Sequence, residues 1–325
     1  MKVAIIGAGI AGSTCGRFIQ RTGNETVLFD KARGAGGRLS TRRRDGVTYD
    51  FGAPVLSAQS SAFTRALATW IKAGAAQQWP GRFGYLRDGQ LIEEHDAPAR
   101  FVGTPGMNAI VKQLQVGLDV RYGQRVDELI EDGRGWRLVD VDGAPLGRFD
   151  AVVLAVPAPQ AMALLSPHGI LTDGLAQVRM DPCWTVMAHW SAPLDVSFDA
   201  LELTGSIGWA TRERSKPGRV EHDAWVIHAS SAWSRENLEL DAERVSSQIL
   251  KDFAAMIGIH CPMPTAIHTH RWRYSRVRNP LGVGSLWDGR HRIGVCGDMC
   301  LGGRVENAYL SGRALAQTIG RGGFK

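Results

Sequence analysis

The residues of this chain whose types and spacing can do chemistry are, first of all, glycines. Gly7, Gly9 and Gly12 follow a short apolar run at residues 3–6, the pattern of a buried strand that turns sharply into a helix. In such a turn the first glycine permits the tight bend, the second lets backbone N–H groups approach a pyrophosphate, and the third lets helix and strand pack closely. The helix N-terminus adds partial positive charge. A second apolar run, at residues 26–29, ends in Asp30, at the distance expected for a carboxylate that hydrogen-bonds an adenosine ribose. The chemistry on offer is the holding of a dinucleotide.

Two further glycine turns narrow the choice of ligand. In the loop Arg33-Gly34-Ala35-Gly36-Gly37-Arg38, backbone amides and guanidinium groups can neutralise a diphosphate from the side opposite the first turn. Near the other end, an apolar strand at 292–296 runs into Gly297-Asp298, then Gly302-Gly303-Arg304, then a helix expected over 305–319. Three such turns imply a ligand gripped at both ends. A nicotinamide dinucleotide needs only the first, whereas FAD suits all three. Asp30 would take the adenosine ribose, the first helix N-terminus and Arg38 the diphosphate, and Asp298 the ribityl chain. The helix starting near Val305 would face the ring, where its partial positive charge favours reduced flavin by roughly 0.3–2 kcal/mol. The sequence offers no convincing nucleophilic triad, paired carboxylates or metal cluster, so the hard chemistry is expected on the cofactor and no metal is expected.

The elements that must position these turns follow from hydrophobic patterning. Residues 149–156 read as a continuous apolar strand, typical of burial on both faces of a parallel sheet. Residues 119–150 read as a small antiparallel layer, and 61–73 as a helix burying Phe63, Leu67, Trp70 and Ile71. From 160 to 285 the character changes, with Trp184, Trp190, Trp209, Trp225, Trp233 and Trp272, several strand-like segments and a helix around 242–257. Residues 215–219 read as a surface turn. The expected fold class is α/β with an α+β substrate region. A Rossmann-type FAD-binding domain would be assembled from residues 1–60, 101–160 and 286–325, and a mostly antiparallel substrate domain from 61–100 and 161–285.

Composition excludes several classes. With 325 residues, 44% hydrophobic and 22% charged, the chain can build a full core and is not expected to be disordered. A formal charge of +6 favours anionic small molecules, but apart from residues 42–44 the basic residues are scattered, and no nucleic-acid recognition module accompanies them. Five cysteines, at 15, 183, 261, 296 and 300, lack the even count and spacing of a disulfide framework and suggest a reducing compartment. Cys296 and Cys300 have no supporting Cys/His pair and read as buried thiols. An apolar strand begins at once and the longest apolar run breaks at Pro157, so neither a signal peptide nor a membrane span is expected and the location is expected to be cytoplasmic. Nothing in the sequence speaks to oligomeric state.

Taken together, these segments resemble the flavoprotein amine-oxidase superfamily, and within it the bacterial renalase-like proteins. The general motifs are Ala4-Ile5-Ile6-Gly7-Ala8-Gly9-Ile10-Ala11-Gly12, Phe29-Asp30-Lys31 with Arg33 to Arg38, Ala155-Val156-Pro157-Ala158-Pro159-Gln160, and Val295-Cys296-Gly297-Asp298 through to Ser311-Gly312. Met180-Asp181-Pro182, Arg214-Ser215-Lys216-Pro217-Gly218-Arg219 and Trp225-Val226-Ile227-His228-Ala229 with Trp233-Ser234 point to the renalase-like branch. The resemblance implies an arrangement like that of p-hydroxybenzoate hydroxylase and amine oxidases, with non-covalent FAD. Its implied cofactor contacts are Gly7, Gly9, Ile10, Ala11, Gly12, Asp30, Lys31, Arg33, Gly37, Arg38, Ala53, Pro54, Val126, Gly297, Asp298 and Val305. The implied activity is oxidation of the 2- and 6-dihydro isomers of NAD(P)H to NAD(P)⁺ by hydride transfer to flavin N5, with O2 returning the flavin to its oxidised form and yielding H2O2. Such a reaction asks the protein to orient a ring and needs no side-chain base. Two departures stand out. Where the family carries Gln and aromatic residues after Gly-Ala, this chain has Pro54-Val55-Leu56, and where the family has Thr after Asp-Pro it has Cys183. Substrate-side candidates are Cys183, Trp184, His228, Trp233 and Arg271. The departures leave open an FAD oxidoreductase acting on an amine or biosynthetic intermediate, and a non-catalytic flavin- or nucleotide-binding protein is the alternative from another class.

Overall fold

Strand Lys2–Ile6 is the middle of a parallel sheet, with Val3, Ala4 and Ile5 wholly inaccessible to solvent. The computed structural model describes residues 1–96, 98–220, 222–259 and 261–320, and in it this sheet has six strands. Their order is Leu286–Asp288, Ile293–Val295, Ala151–Leu154, Lys2–Ile6, Glu25–Asp30 and Asp119–Tyr122. Every neighbouring pair is parallel except the first, so its strands must be linked by crossovers over the two faces.

One face is covered by helices Ile10–Gln20, Ala109–Gln115 and Val305–Gly320, whose apolar residues share a core with Val3, Ile5 and Leu28. The C-terminal helix crosses the first one at Gly312, where a Cβ would stand 2.2 Å from the Ala11 carbonyl oxygen. Only glycine fits there. The other face packs on a three-stranded antiparallel sheet, Val126–Glu131, Trp136–Asp140 and Pro145–Phe149. The stretch expected as one strand over 149–156 therefore divides, Phe149 closing an antiparallel strand and Ala151–Leu154 entering the parallel sheet.

A second sheet of seven strands runs in the order Ala266–Asn279, Arg179–Trp190, Asp223–Ala229, Ile207–Arg212, Ala200–Glu202, Phe83–Arg87 and Gln90–Glu93. All its pairs are antiparallel but one. Its outer face is covered by helix Ala242–Ile257, which is N-capped by Asp241, closed by Gly258 at φ 70°, and buries Val245, Ile249 and Phe253 against Val186, Ala188, Trp225 and Ile227. Its inner face turns toward Tyr49 and Phe51, with which Met187 and Val226 share a core.

The packing redistributes some of the expected segments. Residues 61–100 do not act as one piece: helix Ser61–Lys72 packs Phe63 and Trp70 on Tyr309 of the C-terminal helix at 5.5 and 5.7 Å between ring centroids, while strands Phe83–Arg87 and Gln90–Glu93 join the seven-stranded sheet. Helix Ala158–Leu165, which straddles the expected boundary at 160, and helix Thr172–Gln177 beyond it bury Ala161, Leu165 and Leu175 against the parallel sheet. Residues 321–325 of the expected first domain lie outside the described residues. No helix among the described residues is long and apolar enough to cross a membrane.

Candidate cofactor and substrate site

The first glycine turn is built as its residue types require. Gly7 has φ 100°, a conformation open to glycine, and a Cβ on Gly12 would lie 1.9 Å from the Gly7 carbonyl oxygen. Gly9 caps the first helix with no side-chain hydrogen bond and no acidic residue in the first turn. The amides of Ile10 and Ala11 thus begin a helix whose positive end is not neutralised by its own side chains, which suits an anion. Gly37 from the second loop closes on this turn, a Cβ there falling 3.2 Å from the Gly9 Cα.

Asp30 is already engaged, accepting hydrogen bonds from the amides of Ala8 and Ala32, both at 2.8 Å. It ties the end of its strand to the first turn and keeps the carboxylate at the position where a ribose would be met. The chain returns to the same spot at Gln124, whose amide donates to the Asp30 carbonyl at 3.0 Å. That contact brings buried Val126 alongside, and the Gln124 side-chain oxygen is buried with no partner among the described residues. Lys31 and Arg33 are exposed.

Arg38 and Asp298, expected to take separate parts of the cofactor, instead grip each other. The guanidinium donates from both terminal nitrogens to the carboxylate at 2.7 and 2.6 Å, and also to the Ser275 carbonyl at 3.0 Å. One ion pair therefore joins the second glycine loop, the turn at Gly297 and the outermost strand of the seven-stranded sheet. The helix at Val305 also differs from expectation, because Glu306 in its first turn is buried. Its carboxylate accepts the amides of Gln59 and Ser60 at 3.0 and 2.7 Å, and its charge offsets part of the positive field at that helix end. Ala53 donates its amide to the Arg38 carbonyl at 2.8 Å, which seats the segment carrying Pro54 on the second glycine loop. The open helix end, the paired glycines and the unpartnered Gln124 oxygen fit an anionic dinucleotide such as FAD.

The five substrate-side candidates are divided between the two faces of the seven-stranded sheet. Trp184, Trp233 and Arg271 lie on the outer face: the Trp184 indole donates to the Asn237 carbonyl at 3.0 Å, Arg271 pairs with Glu239 at 2.8 Å and stands over Trp184, and Trp233 packs into the same outer core. Side chains alternate along a strand, so the glycine turns and these three are separated by the sheet itself. Cys183 and His228 lie on the inner face. Burial pushes the Cys183 thiol up to about 12, which keeps it protonated. Burial also brings His228 down to about 4; the backbone of Gly52 and Phe51 opposes the shift and nearby Lys216 reinforces it.

His228 belongs to a row that the sequence did not disclose. Register pairs place His270, Thr185, His228 and Trp209 side by side across four strands. The Thr185 hydroxyl, both His228 ring nitrogens and the Trp209 indole nitrogen are buried without an aligned hydrogen-bond partner among the described residues, although the Phe51–Gly52 backbone lies beside His228 and the Cys183 thiol beside Thr185. A buried polar group left without a partner costs about 1–3 kcal/mol, which makes this row a candidate for contact with a polar ligand. The backbone of Phe51 and Gly52 lies beside His228, which sets the row against the segment just before Pro54.

Behind this row lies a fully buried group of four charges. Lys216 reaches Glu213 at 2.5 Å and Asp50 at 3.5 Å, Arg219 is paired with Asp50, and the Met107 amide donates to Asp50 at 2.9 Å. Burial alone would raise the Asp50 carboxyl, but Lys216 and Arg219 outweigh it and hold it below the usual carboxylate range; for Glu213 burial prevails and its pKa is raised. Residues 215–219 are thus not the expected surface turn, since the Lys216 side chain is 0% and that of Arg219 1% exposed. Charge and proline had suggested solvent, and only partners distant in sequence make burial tolerable.

A model of flavin-containing amine oxidoreductases matches residues 88–320, and one of NAD(P)-binding Rossmann-like domains matches residues 5–70. The 4,4'-diapophytoene desaturase of Staphylococcus aureus is 38% identical over 56 residues; these are 17% of this chain, which spans only 11% of that relative's length. A solved structure assigned as a protoporphyrinogen oxidase from Exiguobacterium superposes with a TM-score of 0.79 at 14% identity, covering 98% of each chain. Cyclohexylamine oxidase from Brevibacterium oxydans does so with a TM-score of 0.76, also at 14% identity and 98% coverage of both. At these identities the likeness speaks for the fold. The family model, in contrast, takes in most of the sequence, and on that ground the chain belongs to the flavin-containing amine oxidoreductases, a family of FAD-dependent enzymes.

Proposed function

We propose that this protein is an FAD-dependent oxidase of dihydronicotinamide nucleotides, converting the 2- or 6-dihydro isomers of NAD(P)H to NAD(P)⁺. Bound FAD supplies the two-electron acceptor for the substrate hydride, and O2 takes the electrons onward to give H2O2. Gly9, Ile10, Ala11 and Gly37 hold the diphosphate, Asp30 and Val126 the adenosine end, and the Arg38–Asp298 pair the middle of the cofactor. On the substrate side, Thr185, His228 and Trp209 orient a flat polar ring over the segment at 53–56.

The observation that carries this reading is that Thr185, His228 and Trp209 present uncharged, buried polar atoms without an aligned partner among the described residues. A neutral imidazole and a hydroxyl can hydrogen-bond a carboxamide, while the buried thiol of Cys183 and a ring held near a pKa of 4 provide no strong base at neutral pH. A dihydronicotinamide needs orientation without proton removal. An amine, protonated at neutral pH, would need a carboxylate or an unpaired aromatic face. Among the aromatic residues here, Phe51 is stacked on Trp272 at 5.1 Å and already has Arg42 over it at 4.7 Å.

The test is anaerobic mixing of the FAD-loaded protein with borohydride-generated dihydronicotinamide isomers, and separately with a panel of amines. Rapid bleaching of the flavin by the isomers and none by the amines is expected. Bleaching by amines alone would assign the protein to amine oxidation, and bleaching by neither would overturn the proposal.

A further inference from the structure

The row of unpartnered polar atoms does not stop at Trp209. Arg100, just before strand Phe101–Gly103, lies between two rings of the inner face, its guanidinium 4.1 Å from the Phe83 centroid and 5.4 Å from that of Trp209. One terminal nitrogen pairs with Glu94 at 2.7 Å. The other, Nη1, is buried with no hydrogen-bond partner among the described residues, and the side chain as a whole is only 13% exposed. The Thr185 hydroxyl, the His228 ring nitrogens, the Trp209 indole nitrogen and Arg100 Nη1 thus form a line of buried polar atoms without an aligned hydrogen-bond partner among the described residues.

The line is graded in charge. At one end are a hydroxyl and a neutral imidazole, and at the other a guanidinium, with the indole N–H between them. A guanidinium held away from water forms its strongest contacts with phosphate or carboxylate oxygens, and a free edge beside a carboxylate-bound edge still offers directed N–H donors. The neighbouring cation Lys216 is committed to Glu213 and Asp50. Adjacent strands are about 4.8 Å apart, so from His228 past Trp209 to the guanidinium is a distance that a ring, a ribose and one phosphate can bridge.

We propose that Arg100, with the Trp209 indole N–H, is an anion subsite that receives the phosphate on the ribose of a nicotinamide substrate. The proposal rests on the dihydronicotinamide reading above, and defines the smallest good substrate as a mononucleotide. The ring faces Thr185 and His228, and the phosphate replaces the missing partner of Nη1. Nothing in this assignment requires the second nucleotide of NAD(P).

The experiment uses the FAD-loaded protein and its Arg100→Met, Arg100→Lys and Arg42→Met variants. Binding of nicotinamide mononucleotide and of nicotinamide riboside, which lacks the phosphate, is measured by calorimetry, and reduction of the flavin by the dihydro isomers of both is followed anaerobically. The parent protein is expected to bind the mononucleotide at least tenfold more tightly than the riboside. Arg100→Met should abolish that preference with riboside affinity kept within twofold, and should raise the half-saturating mononucleotide concentration by more than any fall in limiting rate. Arg100→Lys should restore part of the preference, and Arg42→Met should keep all of it. Absence of a phosphate preference in the parent, equal loss for both ligands, or loss in Arg42→Met instead would overturn the proposal. If the isomers fail to reduce the flavin while the phosphate preference is present and depends on Arg100, the subsite stands and the dihydronicotinamide reading falls. Should Arg100→Met not fold, the Arg100→Lys variant carries the same comparison.

Discussion

His228 shows how one residue's surroundings set its chemistry. On the inner face of the sheet, with no aligned partner for either ring nitrogen among the described residues, burial holds it neutral down to about pH 4, whereas in an unfolded chain a histidine takes its proton near 6.5. Between those values the unfolded state binds the additional proton, so stability is complete above 6.5 and is lost as pH falls toward 4. His270, also brought down to about 4, mainly by burial, acts in the same direction. Urea unfolding of the parent protein is therefore expected to show falling stability over that window, with an upper contribution from His228 of about 3 kcal/mol. Replacing it in His228→Gln should flatten the dependence, and an unchanged slope would show that the ring is not buried neutral.

At the scale of elements, the buried charges fasten the segment after strand Val47–Tyr49 onto the seven-stranded sheet. Asp50 follows strand Val47–Tyr49, whereas Glu213, Lys216 and Arg219 come from the turn after strand Ile207–Arg212. Two carboxylates and two cations balance, and removing one leaves an uncompensated buried charge. Lys216→Met is expected to lower stability by about 3–5 kcal/mol in denaturant titration. Adding Glu213→Gln should recover part of that loss, because it removes a charge the lysine had been neutralising. Equal stability of Lys216→Met and the parent would mean that the group does not exist as a unit.

For the whole molecule, the parallel sheet, the second glycine loop and the seven-stranded sheet converge on one place, joined by the Arg38–Asp298 pair and its contact with Ser275. A cofactor held by all three should act on global stability. With free FAD at 100 times its Kd, the unfolding free energy is expected to rise by about 2.7 kcal/mol, read from the midpoint of thermal or urea unfolding with and without FAD. No change in midpoint on adding FAD to the stripped protein would separate the cofactor from the fold.

The sequence by itself determined the first grip. The strand at residues 2–6, the turn at Gly7 to Gly12 and the second strand ending in Asp30 were legible, because a buried strand, a positive φ and a helix start each depend on residues adjacent in the chain. Helix 242–257 was legible for the same reason, with its period and both caps written locally. Only the tertiary structure decided which side of each strand turns toward Tyr49 and Phe51 and which toward helix 242–257. Alternation separates Trp184 from Thr185 but does not say which faces inward, and so three of the five substrate candidates fell on the outer face, while Thr185, Trp209 and Arg100 of the inner face were not among the candidates. It also decided that Lys216 is buried and that Arg38 finds Asp298 at a separation of 260 residues. A charge is placed by its partners, and those partners are brought to it by sheet register and packing, which no local pattern encodes.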